Sequence, residues 1–307
     1  MNVNPIYCQL SLLNEEIKQL SRQSTPTGGM IHQLLAKKSN MDYDTEWTSD
    51  IVTESIQNGL YTGTFMFLDG DLSLTGRLAN TSSSVRVGLN SGLTGQNSGT
   101  VAVGVNAGQM SQGQDSVAVG NSAGYSEQAD NSVAIGFSAG GVTQGAQSVA
   151  VGVSAGQVAQ GTENIAVGFA AGYAAQGTQS VALGFAAGQI SQGTQSVAIG
   201  NSAGISSQGT HSVAVGFNAG QVTQGPDAVA IGFVAGQIAQ GANSIAIGNS
   251  AGLTGQHAST IILNASGSVL NSNGSDSLYV APIRGATGTG LQVLYYNTTT
   301  KEITYGI

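Results

Sequence analysis

The sequence predicts an all-β protein dominated by a parallel β-solenoid of about eleven 16-residue coils, and three regularities carry that prediction. From Ser84 to Leu263 the chain repeats every 16 residues without insertion or deletion, as in SVAVGNSAGYSEQAD and SVALGFAAGQISQGTQ. A glycine column runs from Gly88 through Gly104 and Gly120 to Gly248, with a second from Gly92 to Gly252, and a glutamine column runs from Gln96 to Gln256. Aliphatic–alanine–aliphatic triplets such as Val117-Ala118-Val119 and Val181-Ala182-Leu183 recur in the same frame. A period of this size is too short for a helical hairpin and matches one coil of a stacked solenoid.

Composition supports this reading and removes several function classes. With 46 glycines, 8% charged and 6% aromatic residues, the 307 residues cannot fill two ordinary globular cores. The Val and Ile in every unit separate the chain from disordered Gly/Ser-rich sequences. A net charge of -8 and a pI near 4.6, with Lys37-Lys38 as the one basic pair, argue against nucleic acid as a partner. A lone Cys8 provides neither an intrachain disulfide nor a cysteine metal site. No stretch reaches the length of an apolar membrane span, and the amino terminus lacks the basic start and apolar run of a secretory signal.

Four segments follow in order. Residues 1–29 hold a short amphipathic helix over 9–22, striped by Leu10, Leu13, Ile17 and Leu20, and a turn-rich linker. A helix so short must pack on something, either sister helices in a coiled coil or its own chain. Residues 30–83 form an attachment and β adaptor segment. Phe65, Phe67, Leu72 and Leu74 alternate around the turn Asp69-Gly70-Asp71, which a positive φ at Gly70 explains more simply than a calcium loop. Within this segment, MIHQLLAKKSNMDYDTEW resembles a stretch near the amino terminus of phage and other virion fibre proteins. The matched positions are Lys37, Lys38, Ser39, Asp42, Tyr43, Asp44, Glu46 and Trp47. The resemblance implies a virion protein, with Asp42, Tyr43, Asp44 and Trp47 at the attachment point.

Residues 84–263 are the roll. Alternation along a strand puts Val117 and Val119 on one face and Ala118 on the other. The β-branched face is expected to be the core. The alanine face, Ala102, Ala118, Ala134, Ala150, Ala166, Ala182, Ala198, Ala214, Ala230 and Ala246, is expected to pack against sister chains about a threefold axis. The glycines suit tight bends and the glutamines an amide ladder along the stack. The repeat SVAIG-x-x-AG resembles the head repeat of trimeric autotransporter adhesins, which implies a left-handed parallel β-roll assembled as a trimer. Residues 264–307 bring back aromatic residues, charge and alternation and are expected to form a terminal β cap. The runs LYVAPIR and VLYYNTTTKEITYG in this segment resemble the ends of structural proteins of large DNA viruses and phages, often found before a self-cleaving chaperone domain.

No chemistry rises above this architecture. Asp115 with Asp130 is the nearest carboxylate pair for glycan hydrolysis, but Asp115, Glu163, His211 and Asp227 share a column with Gln147, Gln179 and Gln195 that reads as a solvated turn position. His32, His211 and His257 fall in different registers, so neither a zinc site nor a triad is indicated. No catalytic residue, cofactor or metal is therefore expected. Phe137, Phe169, Phe185, Phe217 and Phe233 read as packing residues that would favour a carbohydrate or host-surface contact if exposed. The expected function is that of a homotrimeric, non-enzymatic virion fibre or spike component, assembled in the host cytoplasm and displayed on the particle. Its expected partners are other virion proteins, through the amino-terminal segment, and a host receptor or glycan. A cell-surface adhesin head and a glycan-cleaving tailspike are the alternative readings.

Overall fold

The computed structural model describes residues 34–37, 45–48, 84–285 and 293–305, in two units, 1–81 and 82–307. No helix occurs among the described residues. In the first unit Leu34–Lys37 pairs antiparallel with Thr45–Thr48, placing Leu35 opposite Trp47 and Lys37 opposite Thr45. The expected helix over 9–22, the Asp69-Gly70-Asp71 turn, and Asp42, Tyr43 and Asp44 lie outside the described residues.

The second unit is a parallel β-solenoid. Each of the nine central coils contributes one strand to each of two sheets, as Val117–Val119 and Ser126–Gln128 do, with a turn between them and another leading to the next coil. The long sheet stacks thirteen strands from Val85–Val87 to Leu278–Ala281, and the short sheet nine from Met110–Gln112 to Ile238–Gln240. Pairing keeps the sequence period, Val117 with Val133 and Ala118 with Ala134. At the carboxy-terminal end the step lengthens by one residue, Ile261 pairing with Leu278, so the sheet gains a turn beyond the strict repeat. Thirteen strands enclose twelve turns, and at ~4.8 Å per coil the roll is about 55–60 Å long. A separate antiparallel hairpin, Leu294–Tyr296 with Ile303–Tyr305, completes the described chain.

The two faces of the long sheet are the reverse of the sequence expectation. Ala102, Ala118 and the eight alanines that follow them to Ala246 are each 0% exposed within the single chain. They form the core together with a second alanine column from the turns, Ala107 and Ala123 to Ala251. The flanking aliphatic residues point outward, Ile135 at 39% and Leu183 at 43% exposure. Alternation separates two faces without saying which is inner, and volume decides. A flat coil with two three-residue strands leaves room for little more than a methyl group between its sheets, so the larger side chains are displaced to the outside. An alanine column with no exposed surface has nothing to offer a sister chain.

The turns keep the backbone ladder unbroken. Ser122 and Asn131 stand at φ 55 and 56 at the corners and Glu127 at φ 54 in the middle of the short-sheet strand, and their counterparts repeat in the other coils. These left-handed corners bend the chain in the plane of the coil while its N–H groups stay aligned with the stack. Ser122 N donates to Val105 O at 2.9 Å, Gly124 N to Ala139 O at 2.8 Å, and Asn131 N to Gln114 O at 2.8 Å. Two glycine positions are obligatory. Gly120 lies at φ 132, and a Cβ there would stand 2.5 Å from the Gly136 carbonyl oxygen of the next coil. Gly124, at φ 52, would place a Cβ 2.5 Å from Gln128 Oε1 and 3.2 Å from Ala118 Cβ.

The glutamines act mostly across the coil rather than as the expected amide ladder. Gln128 Nε2 donates to Val117 O at 2.9 Å and Gln144 Nε2 to Val133 O at 2.9 Å, joining the short sheet to the long one through the interior. Rung-to-rung amide bonds occur from Gln96 to Gln112 at 2.9 Å and from Gln160 to Gln176 at 3.2 Å. A backbone carbonyl within the same coil competes for the amide hydrogens and usually wins. The carboxamide oxygen faces the hydrogen that replaces Cβ on the preceding glycine, in the sense of a weak C–H···O contact.

Larger side chains close the ends of the alanine core. Arg86 takes the alanine position of the first strand and donates from Nη1 to Gly92 O at 3.1 Å. At the other end Ile262, fully buried, follows Ala246 and is followed by Tyr279, whose hydroxyl donates to Asn273 Oδ1 at 2.6 Å. A charge at one terminus and a bulky, anchored pair at the other interrupt the uniform stacking surface.

Two substitutions test this account of the coil. Gly120→Ala should lower unfolding stability by about 3 kcal/mol or more, because strain in a glycine-only region adds to a backbone clash, and should appear as a lower urea midpoint. Thr223→Asn, which relieves a β-branched residue at φ 55 on the exposed side of a short-sheet strand, should raise stability by about 0.5–1 kcal/mol in the same measurement.

Candidate interaction surface

The outward face of the long sheet is the main chemical feature of the roll. Each coil presents the first and third strand residues, such as Val133 and Ile135, and then the residue after the glycine. That last column holds Phe137, Phe169, Phe185, Phe217 and Phe233, all exposed, Phe137 at 55%. Phe169 stacks on Phe185 with ring centroids 5.1 Å apart and planes 7° from parallel, and Phe217 stacks on Phe233 at 5.3 Å and 10°. Rings stacked along the fibre axis use their faces on each other and turn their edges outward. A sugar ring packs on an aromatic face, so these pairs are better suited to burial by protein than to a glycan platform.

The short sheet carries a second, narrower apolar column. Val142, Val158, Ile190, Val222 and Ile238 are exposed there, interrupted by Ser126, Ala174 and Ser206. The roll therefore has two outward apolar faces, one on each sheet.

Between them the polar turn column expected to be solvated is indeed exposed at Asp115, Glu163, His211 and Asp227. It forms a side-chain ladder over five coils. Gln179 Nε2 donates to Glu163 Oε2 at 2.8 Å and Gln195 Nε2 to Gln179 Oε1 at 3.0 Å. His211 Nε2 lies 2.9 Å from Gln195 Oε1, and its Nδ1 lies 3.2 Å from Asp227 Oδ1. Asp130 Oδ1 accepts from Gln114 N at 2.7 Å, so it serves the backbone of the neighbouring coil. His257 Nδ1 lies 2.9 Å from Ser272 Oγ, away from His211, and His32 lies outside the described residues. Among the described residues no three of His, Cys, Asp and Glu come together. Trp47 is described only as backbone of the Thr45–Thr48 strand.

Sequence reasoning missed which face is outward, yet a usable signal was present. The alanine column never changes from Ala102 to Ala246, whereas the flanking columns exchange Val, Ile and Leu freely. Constant size marks a closed interior, and variable size marks a surface whose neighbours can adjust.

Comparison with known proteins supports the same class. The family model described as the YadA head domain repeat matches residues 191–219 and 238–251, in two copies, both inside the roll. Neither a curated protein nor a solved structure matches the chain. The chain thus carries adhesin-head-like repeats folded as a β-solenoid.

Proposed function

We propose that this protein is a homotrimeric, non-enzymatic fibre component whose roll is a rigid adhesive rod held together through its outward Val, Ile, Leu and Phe face. The observation that carries the proposal is that face itself, continuous along the long sheet. Soluble monomers rarely leave contiguous apolar patches beyond a few hundred Å² uncovered. The interior supplies little by comparison. A buried alanine contributes about 0.8 kcal/mol, and a fully buried Val, Leu, Ile or Phe about 1.5–3 kcal/mol, so the larger gain is reached only when sister chains cover the outer columns. A cyclic trimer engages two different surfaces of each subunit, and the roll has two apolar faces to supply them. The match to the YadA head domain repeat supports an adhesin-type fibre.

The setting we propose is a virus particle, assembled in the host cytoplasm. The KKS-x-x-DYD-x-EW resemblance supports docking on other virion proteins through Asp42, Tyr43, Asp44 and Trp47, leaving the roll to meet a host receptor or glycan. A cell-surface adhesin head is the second reading, favoured by the repeat match.

Light scattering with small-angle scattering tests the assembly, and a trimer with a rod-like roll is the expected result. Leu183→Glu together with Ile135→Glu should yield a monomer that keeps its β circular dichroism, because both side chains are outside the core. Ala182→Glu, inside it, should abolish the fold. A trimer unaffected by Leu183→Glu and Ile135→Glu would overturn the assignment of this face.

A further inference from the structure

The alanine and glutamine columns of the interior repeat without variation, but three outward positions do not, and they change together. They are the residue after the glycine, the residue before the short-sheet strand and the first residue of that strand. The common coil reads apolar, polar, branched, as in Phe217, Gln221 and Val222 or Phe233, Gln237 and Ile238. Three coils invert this. They read Asn121, Tyr125 and Ser126; Asn201, Ile205 and Ser206; and Asn249, Leu253 and Thr254. Two coils, Leu89 with Leu93 and Thr94 and Phe169 with Tyr173 and Ala174, combine the two patterns. At a single height Gly141 replaces the middle residue, leaving a notch of about 250 Å³ beside Tyr125 and Gln157.

None of these positions lies in the alanine core, so the lumen does not dictate the exchange. We propose that the inverted coils are a register code read by a second copy of this chain, so that like coils pack against like coils. The inference rests on the trimer reading above. The occupant follows from spacing. A partner that covers stacked phenyl edges over many coils must present side chains at the same rise of ~4.8 Å, which a second parallel roll does. Two such rolls face a slippage problem. A shift by one coil superimposes the alanine, glycine and aliphatic columns on themselves, so these columns cannot oppose it. With the long-sheet face of one roll against the short-sheet face of the next, the same shift takes the Asn201 amide from Ser206 to the branched side chain of Val222 and brings a phenyl ring against Ser206. Polar groups would be buried unpaired, which disfavours the slipped pairing.

The test moves one mark along the full-length chain. A shifted variant combines Asn201→Phe, Ile205→Gln and Ser206→Val with Phe217→Asn, Gln221→Ile and Val222→Ser, so that each substituted position receives a residue already found in that column. Wild type and variant carry different affinity tags, are co-expressed, and the trimers are resolved by native mass spectrometry. Each chain is expected to assemble with itself, mixed trimers falling roughly tenfold or more below binomial proportions. Mixing in binomial proportions overturns the register code while leaving the trimer intact. Monomeric wild type overturns both readings. A second variant, Asn121→Phe with Tyr125→Gln and Ser126→Val, erases a mark without moving one. It should also sort away from wild type even if the shifted variant fails to fold, and its free mixing would overturn the proposal by itself.

Discussion

The gap between the two sheets of one coil is the constraint on which the rest of the roll depends. Sixteen residues closed into a ring with two three-residue strands leave an interior that accepts Ala118, Ala123, the Gln128 carboxamide and little else. The constancy of the alanines, the bare glycine beside each carboxamide oxygen and the positive φ values at the corners all follow from fitting a closed ring around so small a lumen. In larger solenoids the interior holds branched side chains. Here those side chains are on the outside, and the hydrophobic gain of an ordinary core is deferred to whatever covers the outer face.

A roll built this way draws its order from the axial direction. Hydrogen bonds run between coils in the strands and at the corners alike, as at Ser122 and Asn131, and each coil contacts only its neighbours. Such a stack grows without limit unless its ends differ from its middle. Arg86, Ile262 and Tyr279 occupy alanine positions at the two ends and supply that difference. Inside the stack, cross-coil amides such as Gln144 to Val133 O tie one sheet to the other, which the alanine methyl groups are too short to do with directional contacts.

Most of this architecture was legible in the sequence because a 16-residue period and alternation within SVAVG dictate stacked parallel strands almost unaided. The inside-outside assignment was not. Alternation is symmetric between its two faces, and the usual preference of Val and Ile for the interior pointed the wrong way at Val117 and Val119. The size constancy of Ala102 to Ala246 contained the answer, but only once the small cross-section of the coil is considered. The role of the glutamines was half legible. Their column demanded a buried amide function, while the choice of Val117 O over the next amide depends on distances that spacing does not encode.

The Phe and Asn column after each glycine was visible in the sequence, though read there as packing, and its irregularity was the informative part. In a perfectly repetitive solenoid every position related by one coil is equivalent, so no surface can specify where along the rod a partner should sit. Specificity requires departures from the repeat, and they are tolerated only where the lumen does not forbid them. The permitted sites are the outward strand positions and the corners, where Asn121, Asn201, Gly141 and the Glu163-to-Asp227 ladder are found. The fold thus divides its positions into two classes. The alanine and glutamine positions of the interior are held constant by geometry, and outer positions are left free to record which surface meets which.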